Sequence, residues 1–517
     1  MSGKKTIAKN TLLLYTRMLF NLVVALYTSR MVLQVLGVAD FGIYNLVGGI
    51  LVLISFLNNS MNAATQRFMN VEKASMLPKR INKIFNISLL NHLLIAFVVL
   101  LLAETLGLWF LNNQLNIPLD RMYAANIVYQ LSILSTMMDI LRVPFNAMIL
   151  AYERISYYAY VGIFETATKL LIVYLLLAFP DFDHLMFYAV LYMLVNLTTN
   201  GVLYVYCRKH FPKESAFRFY KDLDKTKEML SFSGWSLFGQ IAVLGATQGM
   251  GMIMNVFQGV LINAALGIAN QVNNAVYSFV GNAQVVFNPQ IVQSYAAQNR
   301  EKHINLVLLA SRYSFFLFAI ISAPLLLATD YLVHLWMDRA VPVYAIEFTK
   351  ITLLSSVITS LAGPLWMSAY AVGNIKRYQV SISIINGMML PLTYYMLVLD
   401  FSPVTVMLTK LAVDIVLFVY RLFFFKNNLR VEKKRMLSYV GSFLPLLIFL
   451  FILVEVFSRH YIAGFFQFVV LSIAAEVLLL VMIVAVGVKK TEFELIKNIL
   501  RKKYGINNYP KKRIVKS

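Results

Sequence analysis

Along the chain, apolar stretches alternate with short polar segments rich in Lys and Arg. Each stretch approaches or exceeds the roughly 20 residues that a helix needs to cross hydrocarbon. The pattern predicts fourteen spans, over residues 11–34, 41–64, 84–111, 122–146, 156–179, 184–207 and 229–256, then 261–289, 305–328, 345–370, 379–399, 403–425, 437–457 and 462–488. The longest intervening segment, residues 208–228, is polar and basic and too short to fold as a domain. An all-α polytopic membrane protein is the expected class.

Composition sharpens the picture. Of the 517 residues, 59% are hydrophobic and only 14% charged, whereas soluble domains run near about a quarter charged. A soluble fold cannot hide that much apolar surface. The net charge of +22 would by itself suggest nucleic-acid binding, but its placement argues otherwise. Alternate connections carry Lys4, Lys5 and Lys9; Arg67, Lys73, Lys79, Arg80 and Lys83; Arg142 and Arg154; then a cluster from Arg208 to Lys227. Later come Arg300 and Lys302, Lys376 and Arg377, a run from Arg421 to Arg435, and the basic tail. The opposite connections hold only Arg121, Arg339 and Arg459. By the positive-inside rule both termini are expected in the cytoplasm. The first span contains Arg17 and lacks a small-residue cleavage site, so it reads as a retained helix. The single cysteine, Cys207, forms no intramolecular disulfide.

Two patterns recur at a nearly constant offset. Gly42-Ile43-x-Asn45-x-Val47 opens the second span, and Gly267-Ile268-x-Asn270-x-Val272 lies early in the eighth. Pro144, Ala151 and Tyr158 follow the same spacing as Pro364, Ala371 and Tyr378. Both matches pair span n with span n+6. An even shift preserves orientation, so the halves are expected to be parallel repeats related by an axis along the membrane normal, with a substrate path between them. The domain reading is a six-helix lobe over 1–207, a basic cytoplasmic linker over 208–228 and a second six-helix lobe over 229–425. Helices 13 and 14 follow over 426–488, then a basic tail over 489–517.

Charge inside a membrane is costly and marks candidate function. The candidates are Arg17 and Arg30 in the first span, Asp139 in the fourth, Glu165 and Lys169 in the fifth, and Lys350, Lys410, Asp414 and Glu476 later. Glu165/Lys169 and Lys410/Asp414 stand at i,i+4, so each pair reads equally as self-neutralising ions on one helix. Arg30 lies near a helix end, where it can snorkel to the interface. Two helices carry amide stripes that step by three or four and share a face: Asn270, Asn274, Ser278 and Asn282 in the eighth span, and Ser55, Asn59, Asn62 and Gln66 in the second. Lipid cannot satisfy these groups. They bond across helices or line a hydrated cleft.

The six histidines lack metal spacing, and no phosphate-binding glycine loop or nucleophile elbow is present. No cofactor is expected and no enzyme.

Several segments resemble the polysaccharide and O-antigen flippases of the multidrug/oligosaccharidyl-lipid/polysaccharide exporter superfamily. They are Ser29-Arg30-Met31 through Leu36-Gly37-x-x-Asp40-Phe41-Gly42-Ile43-Tyr44, then Asn288-Pro289-Gln290-Ile291 through Ser294-Tyr295-Ala296, and Ala151-Tyr152-Glu153-Arg154 after Pro144. The resemblance implies two six-helix lobes around a V-shaped cleft and alternating access in a bacterial inner membrane. Its implied cargo is an undecaprenyl-diphosphate-linked oligosaccharide. It further implies cationic cleft residues for the diphosphate, carried here by Arg17 and Arg30 with Lys169 alongside, and ion coupling through Asp139, Glu165 or Asp414. Polysaccharide polymerase and glycosyltransferase partners fit the same reading. A multidrug/cation antiporter of the same fold is the alternative, and it would favour an acidic cleft. A fourteen-span major-facilitator exporter lacks its loop signature between Asn70 and Arg80, and a membrane glycosyltransferase lacks the large outer loop it would need.

Overall fold

The computed structural model describes residues 2–54, 77–152, 154–220, 222–338, 341–372, 375–458 and 464–487, with isolated positions between 65 and 72. In residues 2–18 and 230–241 only the course of the backbone is described. Asn59, Asn62 and Gln66, the side chain of Arg17, and the tail from 488 lie outside the described residues.

The described chain is a succession of long helices, as the apolar pattern requires. They are α1 (Ser2–Ile54), α2 (Pro78–Leu102), α3 (Leu108–Asn113), α4 (Met122–Ala151), α5 (Ile155–Ala178), α6 (His184–His210), α7 (Leu223–Gln258) and α8 (Leu261–Ala296). Then follow α9 (Arg300–Leu327), α10 (Thr329–Met337), α11 (Ala345–Val372), α12 (Ile375–Gly387), α13 (Met389–Val398), α14 (Pro403–Asn428), α15 (Lys433–Ser458) and α16 (Phe465–Met482). Every expected span falls on a helix, the second as far as residue 54.

Ten stretches among the described residues are long and apolar enough to cross a membrane. One of them, Leu19–Val52, has 34 residues, about 51 Å of helix at 1.5 Å per residue, against a hydrocarbon core of about 30 Å. It is two crossings joined at Gly37, whose φ of 78° and ψ of 167° break the helix. The remaining expected spans are α7, α8 and α14. Helix α8 carries the amide stripe and α14 carries Lys410, Asp414 and Arg421.

Gly37 has a counterpart in Gly259, between α7 and α8, with φ 76° and ψ −171°. Both conformations lie where a side chain is strained and glycine is not. Each glycine precedes one of the two Gly-Ile-x-Asn motifs, so the turn device repeats along with the sequence. Pro144 and Pro364 likewise both lie inside helices, α4 and α11. The fourth span therefore does not end near Pro144 but continues to Ala151, which membrane helices tolerate because neighbouring groups satisfy the freed carbonyl. The eleventh span divides into α12 and α13, and α10 is a short helix that the apolar pattern did not show.

The chain forms two compact units. The first comprises Met1–Ala275, Asp330–Ser355 and Asn374–Val419. Its core joins Leu33, Ile43 and Leu46 of α1 to Val128 and Tyr129 of α4, Val173 of α5, Ile268 of α8 and Val406 of α14, all buried. The second comprises Val276–Thr329, Ser356–Gly373 and Tyr420–Ser517. Here Phe315 of α9 packs edge-on to Phe443 of α15, and His303 bonds Ile291 O at 3.0 Å and Ser368 Oγ at 2.7 Å. Many large apolar side chains face outward, Phe466, Ile473, Val477 and Val481 of α16 among them. In water these would be anomalous; in a bilayer they meet acyl chains.

Arg121 staples three connections of the first unit. Its Nε and Nη2 donate to Asp40 and its Nη1 donates to Asp183 Oδ2 at 2.6 Å. Asp183 also caps α6, accepting from Met186 N–H at 3.0 Å. Burial works to raise the Asp183 pKa, but the guanidinium and the Met186 N–H hold it below the ordinary carboxylate value. A depressed native pKa contributes stability above the unfolded value, about 3.9, and loses it as pH falls through the native one. Asp183→Asn should therefore lower the thermal midpoint in detergent at pH 6, and the gap from the parent chain should close below about pH 4.

Candidate functional site

The first unit holds a charged cluster between α4 and α5, within two of the apolar spans. Glu165 of α5 accepts from Lys169 Nζ, one turn on, at 2.8 Å and from Arg142 Nη1 of α4 at 3.1 Å. Asp139, one turn before Arg142, stands 3.8 Å from its guanidinium. The Lys169 ammonium lies 4.9 Å from the centroid of the Tyr192 ring on α6, a cation–π distance. Tyr192 belongs to a group of edge-on rings with Tyr44 and Tyr188. Glu165 is the innermost member, its side chain 17% exposed, whereas Asp139 is 49% exposed. Two cations thus share one sheltered carboxylate and one open one. Glu165 takes one guanidinium nitrogen of Arg142, Nη1.

Sequence reasoning placed Arg142 in a cytoplasmic connection. The structure corrects this: Arg142 is nine residues short of the end of α4 and ion-paired to the neighbouring helix. Its partner lies 23 positions away on another element, so no i,i+4 spacing announces it. Arg421, likewise counted with the basic loops, lies inside α14. Arg30 Nη1 donates to Leu335 O at 3.3 Å. Of Arg17, only its backbone is described, in α1 four residues before Asn21, whose Oδ1 accepts from Thr166 Oγ1 of α5 at 2.8 Å.

A second charged site joins α14 to α11. Lys410 Nζ lies 2.9 Å from Asp414 Oδ2 and 3.1 Å from Ser355 Oγ, and Ser355 donates to the same carboxylate. All three groups satisfy one another, which is the arrangement of a structural pair. Lys410→Ala strands a largely enclosed carboxylate. The single variant should then lose more thermal stability than Lys410→Ala/Asp414→Ala, measured on both in the same detergent.

On α8, Asn270, Asn274 and Asn282 are exposed and Ser278 is half-buried. The stripe is thus not enclosed among the described residues.

Within the first unit, residues of the two sequence halves meet along a seam on the side opposite the N-terminus. Trp336 Nε1 donates to Leu26 O at 2.6 Å and Gln271 Nε2 to Ala25 O at 2.8 Å. Asn255, fully buried, accepts from Asn116 N at 3.0 Å and donates to Asn263 Oδ1 at 3.0 Å. Helix backbones approach through glycine: a Cβ on Gly267 would stand 2.8 Å from Asn45 Cγ, and one on Gly42 would collide with the Val260 carbonyl.

No protein-family model and no curated sequence matches the chain. Solved structures do. An inward-facing multidrug resistance MATE family transporter of the MOP superfamily matches with a TM-score of 0.65 at 12% identity, over 80% of this chain and 95% of that one. The inward closed conformation of the lipid II flippase MurJ matches with a TM-score of 0.63 at 11% identity, over 91% and 98%. A MOP superfamily transporter from Pyrococcus furiosus, described as having a binding pocket of reverse polarity, matches with 0.56 at 12%, over 82% and 96%. The chain is a multi-pass membrane protein with the fold of MOP superfamily transporters.

Proposed function

We propose that this chain is a flippase that carries the headgroup of an undecaprenyl-diphosphate-linked oligosaccharide across the bacterial plasma membrane, for surface polysaccharide assembly. Both termini are then cytoplasmic. The observation that carries the reading is the pair of intramembrane cations, Arg142 and Lys169, sharing the sheltered carboxylate of Glu165 beside the open one of Asp139. A diphosphate and its sugars cannot be dragged bare through hydrocarbon. Arginine presents a planar fork to phosphate oxygens, and the exposed amides of α8 replace the hydration of sugar hydroxyls while the polyprenyl tail stays in lipid. Arg17, Asn59, Asn62 and Gln66 are proposed from their residue types as further headgroup contacts. Arg30, whose Nη1 donates to Leu335 O, is proposed as a further contact for the diphosphate.

Asp139 supplies the coupling. Charged, it balances the cluster to zero; protonated, it leaves one net positive charge facing the path. A proton on Asp139 therefore favours the anionic cargo, and its loss favours release. Glu165 is the structural partner of both cations, and Asp414 is committed to Lys410.

The test is translocation of a fluorescent polyprenyl-diphosphate oligosaccharide in proteoliposomes. Arg142→Ala/Lys169→Ala should slow it by roughly ten- to a hundredfold, the loss of one or two charge-assisted hydrogen bonds. Undiminished translocation by the double variant would remove the cationic wall. Flux of a cationic dye in place of the oligosaccharide would favour the multidrug antiporter reading.

A further inference from the structure

The connection between α6 and α7, read from sequence as a basic cytoplasmic linker, is held in a fixed form. Two buried amides of α2 pin its main chain. Asn82 Nδ2 donates to Glu214 O at 2.8 Å and Ala216 O at 2.7 Å, and Asn86 Nδ2 donates to Ala216 O at 2.9 Å. In return Asn86 Oδ1 accepts from Arg218 N at 3.0 Å and Asn82 Oδ1 from the Tyr220 hydroxyl at 2.9 Å. Lys83 closes the segment on Asp222 at 2.6 Å. A segment pinned this way presents its side chains deliberately. It buries Phe211 but turns Phe217 and Phe219 outward, 53% and 80% exposed.

The surroundings say what those rings meet. Phe217 stacks on Tyr204, an exposed residue of the last two turns of α6, and lies 5.3 Å from the Arg208 guanidinium. It therefore extends the outward apolar face of α6, which includes Val205, past the end of the helix. Arg208, Lys209 and Arg218 are exposed beside it. Apolar rings at the end of a crossing, bordered by cations, match the boundary between acyl chains and anionic headgroups.

We propose that residues 208–219 are an interfacial anchor for anionic phospholipid, with Phe219 and Phe217 seated among the upper acyl carbons and Arg208 and Arg218 on headgroup phosphates. The inference rests on the chain crossing a membrane and is independent of its cargo. The anchor would hold α6 and α2 at a fixed depth.

The test places a spin label at Phe219→Cys in the full chain, with Cys207→Ala to remove the native thiol, reconstituted in vesicles one-third phosphatidylglycerol and two-thirds phosphatidylcholine. Collisions with dissolved oxygen and with a water-soluble nickel chelate report depth. The expected result is loss of chelate collisions at 219 relative to a label at Asp224→Cys, an exposed control. The collisions should return in pure phosphatidylcholine and in the Arg208→Gln/Arg218→Gln background. A label at 219 as open to the chelate as the control would overturn the proposal and leave the rings for a protein partner. Insertion indifferent to lipid charge would overturn its anionic part.

Discussion

Gly267→Leu is expected to abolish translocation while leaving the chain folded. Gly267 is where α8 crosses the second arm of α1, and it carries the repeated Gly-Ile-x-Asn motif. A Cβ there would stand 2.8 Å from Asn45 Cγ and 2.9 Å from both Asn45 side-chain heteroatoms. Asn45 has little room to retreat, because its Nδ2 donates to Phe41 O at 2.7 Å. A leucine adds three further carbons in the same direction. The overlap is relieved by parting the seam, so the variant should remain with that side open. Thiols at Ala25→Cys and Gln271→Cys, whose parent residues share a hydrogen bond across the seam, report this directly. A short thiol cross-linker should join them in the parent chain and fail in Gly267→Leu. Gly42→Leu should behave alike, since its collision is with main chain at Val260. Full cross-linking in either variant would show that the glycines do not set the approach.

Glu165→Ala should be the most destabilising single change among the intramembrane charges. It strands Arg142 and Lys169 together, with only Asp139, at 3.8 Å from Arg142, to offset them. Breaking a buried ion pair from one side costs about 3–5 kcal/mol. The partial exposure of this cluster reduces that to about 1–3 kcal/mol. Removing Lys169 as well should recover part of the loss, because one cation then faces one acid. The measurement is the thermal midpoint of Glu165→Ala against Glu165→Ala/Lys169→Ala. A double variant less stable than the single one would show that Lys169 is held by Tyr192 rather than by charge balance.

The helices were legible because apolar length alone specifies a crossing, and lipid leaves the backbone no other way to satisfy itself. Two short motifs recur at a six-span shift, and each follows a glycine turn, at 37 and at 259. Partners across elements were not legible. Nothing in the spacing joins Arg142 to Glu165, Arg121 to Asp40 and Asp183, or Asn82 to the carbonyls of 214 and 216. A backbone acceptor leaves no residue-specific mark. The fourth span was read as ending at 146, whereas its helix continues through Pro144 to Ala151. The polar stripe of α8 was visible at its four-residue step, and its exposure could be judged only once the neighbours were placed.

The account stands on the seam opening as the diphosphate headgroup crosses. The direct measurement uses the Ala25→Cys/Gln271→Cys chain in proteoliposomes, joined by a reducible cross-linker and supplied with a polyprenyl-diphosphate oligosaccharide. Translocation should stop while the bridge is intact and return when it is reduced. Equal translocation with the bridge intact, or none after its reduction, would contradict the account.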